Sequence, residues 1–267
     1  MNYIQDPFTL RQGNSPLLVS MPHSGLELTP DVAKGLSQKA RLLPDTDWYI
    51  PQLYNFLHGS KAGFIQANYS RYVIDLNRPI DDKPLYTSPT TGLFPEVLFD
   101  GSPVFMPGGQ PDAQHRENYK QQIWLAYHMA IQEELNRLKE KFGYAILFDA
   151  HSIAAQVPML FEGRLPDFNL GTNGGLSCDS RLLDGLAKVA GKSAYTHVCN
   201  GRFKGGYITR HFGAPQNRIH AIQLELSQAT YLQDDVPGFV LDPAKLKLLQ
   251  PVLQQLIDTL LTLPLNQ

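Results

Sequence analysis

Short apolar runs alternate with longer amphipathic stretches along the chain. The runs Pro16–Met21, Phe64–Asn68, Arg71–Leu76, Tyr144–Asp149, Ala194–Cys199 and Ala221–Leu226 predict strands. A helical period is clearest over His115–Lys141, where Ile123, Leu125, Tyr127, Ile131, Leu135 and Leu138 lay an apolar stripe among Glu, Gln, Lys and Arg. Weaker helical patterns cover Asp47–Leu57, Asp179–Ala190 and Pro243–Leu261. The last begins beside Asp242, a suitable N-cap, and Pro251 predicts a kink within it. Strands separated by helices predict a three-layer α/β sandwich around a central, mostly parallel (mixed) sheet. No repeat, linker or low-complexity tract interrupts the pattern, so residues 1–267 are expected to form a single domain. The span Pro79–Pro111 is rich in Pro and Gly and has no period. So long an irregular segment in a compact domain predicts a functional loop or lid.

Charge and composition remove several classes of partner. The 23 Lys and Arg against 25 Asp and Glu leave a net charge of −2, without the basic excess that nucleic acid or an anionic membrane surface demands. No apolar run approaches the roughly 18 residues of a membrane span, and the first residues lack a basic segment followed by an apolar one. Cys178 and Cys199 are too few for a disulfide framework and lack CxxC spacing. The expectation is a soluble, cytoplasmic protein in a reducing compartment.

In a parallel α/β sheet, ligands bind beyond the carboxyl ends of the strands. Strand Pro16–Met21 leads into Pro22-His23-Ser24-Gly25, and strand Tyr144–Asp149 into Ala150-His151-Ser152. Glu225 lies near the end of Ala221–Leu226, and Arg71–Leu76 ends at Asn77-Arg78. If these strands are parallel, two imidazoles, a carboxylate and a guanidinium meet at one sheet edge. Imidazole with carboxylate is the ligand set of a catalytic zinc site, which keeps three protein ligands and one open position. Glu27, Asp45, Asp47 and Asp149 are all candidates for the acidic ligand. Asp149 shares a strand face with His151 and also suits a place behind that imidazole. Asp45 and Asp47 also suit helix N-caps, so spacing leaves the four open. Arg71 and Asp75, on one face of a strand, could also form a purely structural ion pair. There is no Gly-x-Ser-x-Gly elbow, Walker A loop or His-Glu-x-x-His helix, and neither Ser24 nor Ser152 sits in a nucleophile turn. The glycine pairs Gly174-Gly175 and Gly205-Gly206 read as loop hinges. His58, His115, His128, His197, His211 and His220 read as structural or surface residues.

Five segments carry a family resemblance: Pro22-His23-Ser24-Gly25, Asp45-Thr46-Asp47-Trp48, the block from Asn68 to Pro79, Asp149-Ala150-His151-Ser152, and Gly205-Gly206-Tyr207-Ile208-Thr209-Arg210. In this order, from about Pro16 to about Tyr231, they resemble the N-formylglutamate deformylase (N-formylglutamate amidohydrolase) family. That family is distantly similar to zinc carboxypeptidases and aspartoacylases, which implies a zinc-exopeptidase-like α/β fold with a single metal at the sheet edge. The resemblance implies one divalent metal, Zn2+, held by His23, Asp47 and His151. Carboxypeptidases draw their acidic ligand from His-x-x-Glu, and here Leu26 stands in the glutamate position, so that ligand must come from elsewhere. It further implies Glu225 as the residue activating water, Arg71 as the one polarising the scissile carbonyl, and Asn77 with Arg78 gripping a substrate carboxylate. Arg210 matches as a second carboxylate partner. The implied reaction converts N-formyl-L-glutamate to formate and L-glutamate, the last step of one histidine-degradation route. A small dianionic substrate accounts for several arginines in a protein of net charge −2. Two alternatives stand beside it. One is a zinc amidohydrolase for another N-acyl amino acid, aspartoacylase-like or succinylglutamate desuccinylase-like. The other is a non-catalytic dicarboxylate-binding relative, against which His23, His151 and Glu225 count.

Overall fold

The computed structural model describes residues 4–84, 90–234, 236–263 and 265. Its sheet has seven strands: β1 (Phe8–Arg11), β2 (Leu17–Met21), β3 (Gly63–Ala67), β4 (Ala145–Ile153), β5 (Phe168–Gly171), β6 (His197–Cys199) and β7 (Ile219–Ser227). They lie in the order β1-β3-β2-β4-β7-β5-β6. The centre, β3-β2-β4-β7, is parallel throughout, while β1 joins β3 and β5 joins β7 antiparallel. The sheet is therefore mixed and mostly parallel, as the alternation of elements predicts. Every residue of β2, β4 and β7 is buried, which is why these strands read as continuous apolar runs rather than alternating ones.

Helices cover both faces: α1 (Pro30–Gly35), α2 (Ile50–Leu53), α3 (Ala113–Tyr119), α4 (Ala126–Phe142), α5 (Ser180–Lys192), α6 (Tyr207–Phe212) and α7 (Pro243–Thr262). On one face Leu18, Ile65, Leu147 and Ala221 pack with Ile131, Leu135 and Leu138 of α4 and Ile208 of α6. On the other, Val19, Ile146, Phe148 and Leu224 pack with Leu182 and Leu186 of α5 and Leu253 and Leu256 of α7. The predicted long helix spans α3 and α4, joined by a π-helical segment at Lys120–Leu125. Asp112 caps its start, and Asp242 caps α7 as expected, accepting from the N–H groups of Ala244 and Lys245. Pro251 lies inside α7, where its missing N–H deprives the carbonyl four residues earlier of a donor. The stretch Asp47–Leu57 yields only the short α2 and a 3-10 turn at Asn55–Gly59.

The largest departure is Arg71–Leu76, which forms no strand. It is a turn-rich segment after β3, with Tyr72, Val73, Ile74 and Leu76 all buried. Polar side chains within the block take over its backbone donors: Ser70 Oγ accepts from Tyr72 N and Asp75 Oδ1 from Asn77 N. Local bonds of this kind compete with a sheet ladder, and burial on all sides removes the alternation that would have marked the difference. Ala194–Cys199 shortens to β6. The four-residue strands β1 and β5 and the six-residue helices α1 and α6 have too few turns or alternations to show a period. Within Pro79–Pro111 the described residues form only turns and isolated bridges such as Val97–Pro103; residues 85–89 lie outside the described set.

Candidate active site

The two central strands change character along their length. On the α4 face, β4 presents Ala145 and Leu147, then Asp149 and His151; β7 presents Ile219 and Ala221, then Gln223 and Glu225. The apolar ends fill the core, and the polar ends meet at the carboxyl edge. The parallel register sets His151 beside Glu225 and Asp149 beside Gln223. His23 follows β2 directly, and its carbonyl accepts from the Asp47 N–H (3.0 Å), which draws the Asp45–Asp47 segment against it. The block after β3 adds Arg71, Asp75, Asn77 and Arg78 to the same edge.

Here the two imidazoles and Asp47 converge. His151 Nδ1 lies 3.0 Å and His23 Nδ1 3.7 Å from Asp47 Oδ2. On their far sides, His23 Nε2 donates to Asp75 Oδ1 (2.7 Å) and His151 Nε2 to Asp149 Oδ2 (3.0 Å). Each ring is thus backed by a carboxylate that sets its tautomer and turns Nδ1 towards the common centre, the arrangement that orients metal-ligating histidines. All three side chains are buried, and one donor atom from each lies within 4.8 Å of the others. Two imidazole nitrogens and a carboxylate oxygen at this spacing fit a divalent cation such as zinc. The other acidic candidates stand elsewhere. Asp149 sits behind His151 and accepts from Ser20 Oγ (2.9 Å), Asp45 accepts from Phe99 N, and Glu27 is exposed.

Burial and charge tune the cluster. Burial pulls the His23 pKa down, and Arg71 adds to that, against the pull of Asp75 and Asp47. For His151 burial acts in the same direction, but Asp149 and Asp47 outweigh it and hold the ring well above its ordinary value. Burial pushes the Glu225 carboxyl up to about 8, with His151 pulling the other way. Asp75 is kept well below the usual carboxylate range; burial opposes this, and Arg71 and His23 override it.

One cleft joins this cluster to the arginines. Arg71 is buried, bonded to Asp75 Oδ2 (2.6 Å), with its Cζ 4.8 Å from the centroid of the Phe99 ring. Arg78 lines the same cleft, donating to the carbonyls of Asn77 and Thr91 and to Thr90 Oγ1. The Asn77 side chain accepts from Ile208 N at Oδ1, which puts its Nδ2 3.1 Å from His151 Nε2. It also packs on Gly206, where a Cβ would come within 2.3 Å of Nδ2. Gly206 N donates to Gln223 Oε1, whose Nε2 in turn donates to Glu225 Oε2 (3.1 Å). Arg210, on α6, turns its Nε to the Gly205 carbonyl (2.8 Å) and is not among the cleft-lining residues.

Sequence reasoning passed over Gln223, Phe99 and Arg202, and gave Asp75 only a structural pairing. Gln223 had a period-two signal, two positions before Glu225; Phe99 and Arg202 come from irregular segments and had none. The two serines next to histidines make other bonds: Ser24 Oγ donates to the Met21 carbonyl, and Ser152 Oγ accepts from the Tyr231 hydroxyl.

Fold and cleft together define an α/β protein with a buried imidazole–carboxylate cluster at the carboxyl edge of its sheet. The sequence profile of the N-formylglutamate amidohydrolase family matches residues 15–232. The chain belongs to that family. It is 52% identical over 259 residues to the N-formylglutamate deformylase of Pseudomonas aeruginosa, covering 97% of each chain. It is 53% identical over 254 residues to the enzyme of the same name from Pseudomonas putida, covering 95% of each. The fold is similar to the crystal structure of N-formylglutamate amidohydrolase from Ralstonia eutropha JMP134. The TM-score is 0.79 at 21% identity, over 95% of this chain and 97% of that one.

Proposed function

We propose that the protein hydrolyses N-formyl-L-glutamate to formate and L-glutamate, as the closing step of a histidine-degradation route. His23, Asp47 and His151 would hold the zinc ion. The observation that carries this reading is a single cleft lined both by the imidazole–carboxylate cluster with Glu225 and by the guanidinium groups of Arg71, Arg78 and Arg202. The names of the two Pseudomonas relatives support the choice of substrate.

Bound at the cluster, zinc supplies Lewis acidity, polarising a carbonyl and acidifying water. Glu225 accepts the proton of the attacking water and passes it to the amide nitrogen as the C–N bond breaks. Gln223 holds its Oε2, so the other oxygen is the one that exchanges the proton. The raised Glu225 pKa suits a group that must both take and return a proton near neutrality. Arg71, pinned by Asp75 and by the Asp45 carbonyl (3.3 Å), faces the negative charge that develops on the formyl oxygen. Asn77 and Arg78 hold a carboxylate of the substrate.

No helix among the described residues is long and apolar enough to cross a membrane. Cys178 and Cys199 are both free thiols, in keeping with the cytoplasm as the setting. The deciding experiment measures metal content and formate release from N-formyl-L-glutamate in one purified sample. The expected result is about one zinc per chain and formate in step with glutamate. A metal-replete sample that releases no formate sinks the assignment.

One observation favours a second reading. An apolar cavity lined by Pro44, Leu98, Val157, Pro158 and Phe239 adjoins the cleft, sharing Phe99, Ser152 and Ile153 with it. A formyl group needs no such space, whereas a longer N-acyl group would fill it. Higher kcat/KM for N-butyryl-L-glutamate than for the formyl compound would select that reading.

A further inference from the structure

A formylglutamate molecule carries two carboxylates, and Asn77 with Arg78 accounts for one. That pair sits against the metal cluster, with Asn77 Nδ2 3.1 Å from His151, so it suits the α-carboxylate, the one nearer the scissile bond. Among the described residues, three guanidinium groups line the cleft: Arg71, Arg78 and Arg202. Arg71 is committed to Asp75 beside the imidazoles. Arg202 enters from a different part of the chain, the segment between β6 and α6. Its Nε donates to the Leu160 carbonyl (2.7 Å), and its Cζ lies 5.6 Å from the centroid of the Phe203 ring. A guanidinium anchored through Nε has the direction of its Nη edge set before a ligand arrives, and that edge is the fork that matches a carboxylate. Leu160 and Phe203 also line the cleft here, supplying the apolar surround in which such a contact strengthens.

We infer that Arg202 reads the side-chain carboxylate of the substrate and sets the preference for an acidic over a neutral amino acid. The inference rests on the deformylase reading and assigns to Arg202 the role that motif matching gives to Arg210. In this assignment Arg210 is a positioning residue that braces the Gly205 carbonyl from α6.

The test compares N-formyl-L-glutamate with N-formyl-L-glutamine as substrates, and L-glutamate with L-glutamine as calorimetric ligands. The proteins are the unsubstituted enzyme and the variants Arg202→Met, Arg202→Lys and Arg210→Met. The unsubstituted protein should favour the glutamate member of each pair by about 10²-fold, the scale of one desolvated charge pair. Arg202→Met should bring both ratios near unity, Arg202→Lys should retain part of them, and Arg210→Met should leave them as they were. Ratios that survive Arg202→Met, or that collapse in Arg210→Met instead, overturn the inference. If no substrate is turned over yet Arg202→Met still abolishes preferential glutamate binding, the deformylase reading falls and the Arg202 assignment stands.

Discussion

Asp75 Oδ1 lies 2.7 Å from His23 Nε2, and its other oxygen lies 2.6 Å from Arg71 Nη2. One fully buried carboxylate therefore orients both an imidazole of the candidate metal cluster and the guanidinium proposed to face the scissile carbonyl. Asp75→Asn keeps the size but offers a single acceptor oxygen, so one of the two partners loses its bond. Zinc affinity should fall by about 10- to 100-fold, the usual effect of removing a carboxylate behind a ligating histidine. Competition against a coloured chelator measures it, and an unchanged affinity removes Asp75 from the metal site.

Glu225→Gln should preserve the fold and the zinc content while lowering kcat by on the order of 10² or more, because an amide cannot take up the water proton. Circular dichroism, metal analysis and single-turnover kinetics on the same preparation separate these effects. Retention of near-normal kcat would assign proton transfer to another group.

Gly206→Ala places a methyl group against the Asn77 amide, where only 2.3 Å is available. The Asn77 amide must shift, and with it the contacts it makes to Ile208 N and beside His151 Nε2. The expected outcome is a raised KM and a loss of kcat/KM approaching 10²-fold, the cost of a misplaced positioning group. Melting temperature serves as the control. A variant with normal KM would show that the Asn77–Arg78 pair does not touch the substrate.

His128 gives a pH dependence with a definite sign. It is stacked on Trp124 (3.8 Å between ring centres), it donates from Nε2 to the Leu76 carbonyl, and burial lowers its pKa to about 3. The folded protein holds this ring neutral, while the unfolded chain takes up a proton near pH 6.5. Its contribution to stability is therefore complete above pH 6.5 and is lost as pH falls from 6.5 towards 3, at about 1.4 kcal/mol per unit. Urea unfolding at pH 7 and pH 5 should show a smaller loss for His128→Gln, whose amide can donate but does not titrate. The difference should be about 2 kcal/mol. Identical losses in both proteins would show that His128 is charged in the folded state.

The chain alone determines the strands β2, β3, β4 and β7 and the helices α4, α5 and α7, because each is long enough for a period or a buried apolar run to show. With them comes the edge of the sheet at which His23, His151 and Glu225 stand, since each lies at or just past a readable strand end. Residues 71–76 read as a strand yet fold as turns, because full burial erases the alternation that separates a strand from a buried turn. Only the fold chooses among Glu27, Asp45, Asp47 and Asp149: all four carry the same functional group at unremarkable spacings, and Asp47 differs by lying beside His151 Nδ1. Likewise Asp75 meets His23 across 52 positions and Asp47 meets His151 across 104. Local spacing governs which backbone each segment adopts, through hydrogen bonds and side-chain periods a few residues long. Which atoms then touch across such distances depends on how the layers pack, and packing is a property of the whole chain.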